Sequence, residues 1–234
     1  KRATKQAWYE LQQAQEAYLP KFLSPKIFYP DISQGPKFVL DTNGMLAGNT
    51  TYFISSPDAY LLALLNSRIA WFHLCGQADA LRGGVWRLRL FAENIETVPI
   101  PNASATEREA LATLAEAAQR AAGERRDIEN AFRRRLLTDL APGGTSARLP
   151  ARLADWTALD FRALQDEIRK QFKTTIPLDE RDAWQSRFER DQARSTALSA
   201  EISHCERQID ERIHALFGLD GDEIASIEAA LRQP

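Results

Sequence analysis

Over the first hundred positions of this 234-residue chain, apolar and polar residues trade places in short runs; beyond them, apolar residues recur every three or four positions. The change predicts a strand-bearing part followed by a helical one. Trp8, Leu11, Gln15 and Tyr18 have helical spacing and stop at Pro20. Pro25-Lys26-Ile27-Phe28-Tyr29-Pro30 is aromatic and β-branched between prolines, which predicts a strand at a sheet edge. Phe38-Val39-Leu40-Asp41 predicts a second strand, Asp41-Thr42-Asn43-Gly44 a hairpin-type turn, and Thr50-Thr51-Tyr52-Phe53-Ile54 a third strand.

Ser56-Pro57-Asp58 is a helix start, with a Ser cap, a Pro in the first turn and an acid at the positive end of the dipole. The helix it opens should run to about Leu74 and stop at Gly76. Residues 85–91 alternate, with Trp86, Leu88 and Leu90 on one face and Val85, Arg87 and Arg89 on the other. Ser104-Ala105-Thr106-Glu107 has the form of a capping box. Leu111, Leu114, Ala118, Ala121, Ile128 and Phe132 then trace a coiled-coil-like seam to about Leu137, with Arg125 the polar intrusion. Residues 141–150 read as a loop and residues 153–172 as one or two helices. Asp179 starts another long helix, with Trp184, Phe188, Leu198, Ile202, Cys205, Ile209, Ile213 and Leu216 as its seam and Gly218 as its stop. At near 38 residues it would measure about 57 Å. Asp220-Gly221-Asp222-Glu223 caps a last helix to Leu231.

These elements predict an α+β chain: a small mixed β-sheet domain with packed helices over residues 1–101, then a long antiparallel helical hairpin and short C-terminal helices over residues 102–234. No apolar run reaches the roughly 18–20 residues of a membrane span. Cys75 and Cys205 sit in apolar helical patterns, which suits reduced thiols and a cytoplasmic location. The chain begins at Lys1 without a signal segment, as a fragment of a longer protein would. The Asn-x-Ser/Thr matches at Asn49 and Asn102 are then chance. The net charge of −2 hides a local bias: residues 1–101 hold 10 Lys/Arg against 8 Asp/Glu, and residues 102–234 hold 20 against 24. A basic end is compatible with nucleic-acid contact.

Catalytic chemistry is hard to find. The chain has neither phosphate-loop glycine pattern, and three histidines and two cysteines do not make a spaced zinc site. No Asp or Glu stands two residues before a Lys, so the Asp/Glu-x-Lys nuclease core is missing. So is the Asn-Pro-Pro-Tyr with which amino-methyltransferases hold a flipped adenine. No catalytic and no metal residue is therefore assigned.

Candidate DNA contacts remain. Arg87 and Arg89 stand about 6.6 Å apart on one strand face, close to the spacing of successive phosphates. Arg82 precedes Gly83-Gly84, where a missing Cβ lets backbone approach a ligand. Lys26 and Lys37 flank the first strands and suit phosphates, while Asn49, Thr50 and Thr51 offer polar donors. On the residues alone, a plain turn, a solvated strand face and surface lysines account for all of these at least as well. Trp86 reads as core, Arg133-Arg134-Arg135 as complements to a helix C-terminus, and His204 and His214 as seam residues.

Several segments resemble the C-terminal target-recognition (specificity) region of TaqI-like adenine-specific DNA methyltransferases, most closely the fused type IIG restriction–modification enzymes. They are Pro25-Lys26-Ile27-Phe28-Tyr29-Pro30, Asn49-Thr50-Thr51-Tyr52-Phe53-Ile54, Leu64-Leu65-Asn66-Ser67, Arg82-Gly83-Gly84 and Val98-Pro99-Ile100-Pro101. The later part resembles the family tail at Ile176-Pro177-Leu178-Asp179-Glu180-Arg181-Asp182-Ala183-Trp184 and at Gln208-Ile209-Asp210-Glu211-Arg212, followed by Asp222-Glu223-Ile224. Where the family shows Val-Tyr-x-Leu-Tyr-Gly-Leu, this chain has Ile213-His214-Ala215-Leu216-Phe217-Gly218-Leu219, which keeps the apolar pattern. Leu-Asn-Ser and Gly-Gly also resemble type I specificity subunits.

The resemblance implies a module that grips double-stranded DNA and reads base edges in the major groove, with no cofactor of its own. An N-terminal methyltransferase domain of the same polypeptide would bind S-adenosylmethionine and flip the adenine, with magnesium added if the parent also cleaves. The hairpin would set the distance between the recognition and catalytic parts. Two alternatives stay open: a helical scaffold protein without DNA binding, and a fragment of a type I specificity subunit, of which only one recognition domain is visible.

Overall fold

In the computed structural model, residues 19–81, 86–142 and 148–232 are described. The helix expected over residues 8–18 lies outside them.

A five-residue strand, β1 (Lys26–Pro30), is the centre of the first sheet, not its edge. It pairs antiparallel with β3 (Val39–Asp41), Ile27 opposite Leu40, and on its other side with β4 (Thr51–Ile54), Phe28 opposite Phe53. The prolines that suggested an edge stand just before the strand and at its last position, so the residues between them can bond both neighbours. Because β1 lies between β3 and β4, the turn after Asp41 joins strands that do not pair. The Asp41 carboxylate builds that turn by accepting from the amides of Asn43 (2.9 Å) and Met45 (2.8 Å). Gly44 there has φ +71°, with the carbonyl oxygen of Leu23 3.3 Å from where a Cβ would stand, so a side chain would be strained twice over. Leu23 ends a short helix, α1 (Leu19–Leu23).

The second sheet has β6 (Arg87–Arg89) between β2 (Ile32–Ser33) and β5 (Asp79–Leu81), again antiparallel throughout. Every strand pairing among the described residues is antiparallel, so the expected mixed sheet becomes two small antiparallel ones. β2 and β5 carry no pattern of their own; pairing with β6 extends them.

The single helix expected from residue 56 to about residue 74 is two: α2 (Ala59–Leu65) and α3 (Arg68–Gln77), with Gly76 inside the second. Asp58, not Ser56, caps α2, accepting from the amides of Tyr60 and Leu61. The break comes from two polar side chains. Asn66 accepts from the Phe38 amide (3.1 Å) and donates to the Phe38 carbonyl (3.0 Å), clasping the chain that leads into β3. Ser67 donates to the Leu64 carbonyl and accepts from the Ala70 amide, which opens α3. Asn66→Ala should therefore cost about 2 kcal/mol, since Phe38 is buried and its two backbone groups lose their partner. Urea denaturation monitored by circular dichroism measures it; a loss below about 0.5 kcal/mol would show the clasp to be incidental.

α4 (Ala92–Glu96) follows, and then α5 (Ala105–Arg135), whose Ser104 hydroxyl accepts from the Glu107 amide. The other half of the expected capping box is replaced: Glu107 pairs with Arg212 at 2.9 Å. α5 ends in a π-helical turn, Leu136–Leu140. α6 (Ala151–Ala154), a 3₁₀ turn (Trp156–Ala158) and α7 (Phe161–Phe172) come next. Asp179 lies in a 3₁₀ turn, Leu178–Glu180, ahead of α8 (Arg181–Phe217), which is 37 residues long. Gly218, at φ +70°, closes it, with the Leu219 amide donating to His214 and the Gly218 amide to Ala215. α9 (Gly221–Leu231) carries a complete capping box of Asp220 and Glu223.

Two compact units result, and they do not follow chain order: residues through Glu116 join those from Arg207 onward, and Ala117–Glu206 form the other. In the first unit, Ile27, Tyr60, Leu62, Leu64, Leu65, Trp71, Leu74, Leu88 and Leu90 make one core, completed by Leu111 and Ala115 of α5 and Ile209 and Ile213 of α8. Asp210 reaches the start of α3 here, accepting from the Arg68 amide at 2.8 Å, and Arg68 pairs with Glu228 of α9. Within the second unit α5 and α8 run antiparallel. Ala121 packs with Leu198 and Ile202, and Phe132 with Trp184 and Phe188. The intrusive Arg125 donates to Ser199 (3.1 Å), while Glu129 takes Arg133 (3.0 Å) and the Ser195 hydroxyl (3.0 Å).

Candidate nucleic-acid interface

One backbone residue joins the two sheets. Asp31, between β1 and β2, donates its amide to the Thr50 carbonyl (3.1 Å) and accepts from the Leu90 amide (2.7 Å). The start of β4 and the end of β6 therefore flank Asp31 on its two sides. Asn49 and Thr50 are exposed and Thr51 is half-buried. Nothing in the sequence marked Asp31, because its part is played by its main chain.

Strand alternation explains β6. Leu88 is fully buried, and Leu90 after the strand is buried too, while Arg87 and Arg89 lie on the opposite face. Arg89 is exposed, and its guanidinium rests over the Phe91 ring, 5.0 Å from the centroid. Phe91 was legible as a partner, two positions on and on the same face. Arg89 also stands opposite Ile32 on β2 and Asp79 on β5. Arg87 is half-buried, with its Nε out of contact with water and without a hydrogen-bond partner among the described residues. Trp86 packs edge-on against Trp71 at 6.2 Å, a core contact.

Lys26 has to be removed from the DNA-contacting set. It is fully buried, its ammonium 2.6 Å from Asp41 and also donating to the carbonyls of Phe22 and Ser24. A lysine with all three donors committed inside the protein cannot reach a phosphate. Lys37 is exposed on the link from β2 to β3. Arg82, Gly83 and Gly84 lie outside the described residues.

Two tyrosines lie beside this surface. Tyr29 is buried and stacks on Tyr52 at 5.6 Å, leaving Tyr52 partly exposed next to Thr51. Burial, with smaller contributions from Tyr52 and Glu96, pushes the Tyr29 phenol up to about 12, so it keeps its proton at neutral pH. Among the described residues, no group of His, Cys, Asp and Glu side chains is placed to hold a metal ion. No helix among them is long and apolar enough to cross a membrane.

An arginine-bearing strand face and a turn with two threonines thus share a scaffold of two small antiparallel sheets. Residues 1–100 match the model of the TaqI-like C-terminal specificity domain, the family that the sequence resembles. That domain is the DNA specificity module of restriction–modification enzymes, which implies a DNA-binding role for this part of the chain. Residues 104–213 match the model of a domain of unknown function, DUF8810. No curated protein matches the chain, and no solved structure does.

Proposed function

We infer that this chain is the sequence-specific double-stranded DNA recognition module of a site-specific adenine-N6 DNA methyltransferase or a type IIG restriction–modification enzyme. On this reading a methyltransferase domain of the same polypeptide, N-terminal to this chain and acting in the cytoplasm, supplies the chemistry. The observation that carries the reading is the specificity-domain match over residues 1–100, and the Asp31 junction between Thr50 and Leu90 supports it. S-adenosylmethionine, and magnesium for a cleaving parent, belong to that other domain, and no residue of this chain is assigned to hold either. The work of the chain itself is to bind and to discriminate. Arg87 and Arg89 hold phosphates and set the register, while polar groups near Asn49, Thr50 and Thr51 meet the duplex beside them.

Replacing both arginines with alanine should weaken binding to cognate and random duplex by the same factor. It should also lower the slope of log K against log salt by about 2, since each phosphate contact contributes about 0.9. Fluorescence anisotropy over a salt series measures both. A loss confined to duplexes carrying one particular base pair would instead make these arginines base readers.

A further inference from the structure

The second unit has a cleft of about 750 Å³ where the π-helical turn after α5 faces the start of α8. Its walls bring together Arg135, Arg187 and Arg190 with the hydroxyl-bearing Thr174 and Thr175, over the buried Trp184. Three carboxylates (Asp139, Glu180 and Asp191) match the three arginines, so what the cleft offers an acceptor is the guanidinium N–H groups that these pairs leave over. Arg135 pairs with Asp139 at 3.1 Å, but Arg187 (3.2 Å) and Arg190 (3.0 Å) share the single carboxylate of Asp191. Glu180, also on the wall, accepts from the Trp184 indole N–H at 3.3 Å. The π turn is a second pointer, because such turns are frequent at functional sites.

Guanidinium forks and hydroxyls converging on an open polar cleft match the oxygens of a phosphate group. We propose that this cleft is a phosphate-binding site for the DNA backbone, so that the helical unit contributes affinity of its own while sequence discrimination stays with residues 1–100. Arg187 and Arg190 are the principal contacts, with Thr175 as a neutral donor at the rim.

The Trp184 indole lies in the cleft and reports its occupancy. The full chain, ¹⁵N-labelled, is titrated with pyrophosphate and, separately, with a short random-sequence duplex at low salt. Both should move the Trp184 indole N–H resonance, the duplex at concentrations at least tenfold lower. Arg187→Ala combined with Arg190→Ala should abolish the movement. The same pair should lower random-duplex affinity about tenfold and the salt slope by about 2, leaving the ratio of cognate to random affinity unchanged. Thr175→Glu, at an exposed position where folding is not at stake, should weaken both ligands through like charge. Arg87→Ala with Arg89→Ala should leave the pyrophosphate response intact. A silent Trp184, or one that responds equally in the arginine variant, would overturn the proposal. So would saturation by pyrophosphate at lower concentration than by duplex, which would assign the site to a free phosphate compound. Sequence-selective binding with a silent Trp184 would sink the cleft alone and leave the specificity reading standing.

Discussion

Lys26→Met should destabilise the protein by about 3–5 kcal/mol, because it leaves the Asp41 carboxylate buried without its counter-charge. Both side chains are sealed from solvent, at 0% and 2% exposure, so water offers no compensation. The structural consequence reaches past the pair. Asp41 also holds the amides of Asn43 and Met45, so the turn that leads toward β4 depends on the same carboxylate. Chemical denaturation measures the loss, and Lys26→Met with Asp41→Asn should recover most of it by removing the buried charge. A change below about 1 kcal/mol in the single variant would contradict the ion pair's role. The pH dependence provides a second handle. Burial acts to raise the Asp41 pKa, but hydrogen bonds from Lys26, Asn43 and Met45 outweigh it and hold the carboxyl below its ordinary value. A depressed folded-state pKa means that the contribution is complete above the unfolded value and is lost as pH falls through the folded one. The gap in stability between wild type and Lys26→Met should therefore close as the solution is acidified below about pH 4.

Trp156→Ala should cost about 3–5 kcal/mol, the range for deleting a large aromatic from a packed core. Trp156 is fully buried, stacks on Phe132 at 4.1 Å, meets Phe188 edge-on at 5.6 Å, and donates its indole N–H to the Glu129 carbonyl at 3.4 Å. It is the centre of the second unit's core, where α5, α7 and α8 converge. Trp156→Phe keeps most of the ring contact and should cost no more than about half as much. Hydrogen exchange locates the effect: protection should fall for residues 117–206 first. If the alanine variant lost under about 1 kcal/mol, this cluster would not be what holds the unit together.

What could be read from the sequence divides along a physical line. Features determined within a few residues were legible: the Ser104 start, the Gly218 stop, the Asp220–Glu223 box and the seam that buries Leu111, Phe132, Phe188 and Ile213. Features that need a distant partner were not. The central position of β1 depends on two strands coming to it, and the division of α2 from α3 depends on Asn66 finding Phe38 across 28 residues. Lys26 looked like a surface cation because nothing local shows that Asp41, fifteen residues on, will meet it inside the protein. The strand face of Arg87 and Arg89 was legible from alternation alone. The link between the end of that strand and Thr50 was not, since Asp31 makes it with backbone atoms.

One titration decides whether residues 1–100 hold and read DNA. The affinity of the full chain for duplexes of random sequence, and for the site its parent protein modifies, is followed across a salt series. Steep weakening with salt is expected for both, with the cognate duplex keeping an advantage of at least tenfold at every salt concentration. Salt-insensitive binding, or equal affinity for the two duplexes at all concentrations, would contradict a DNA-specificity role for this chain.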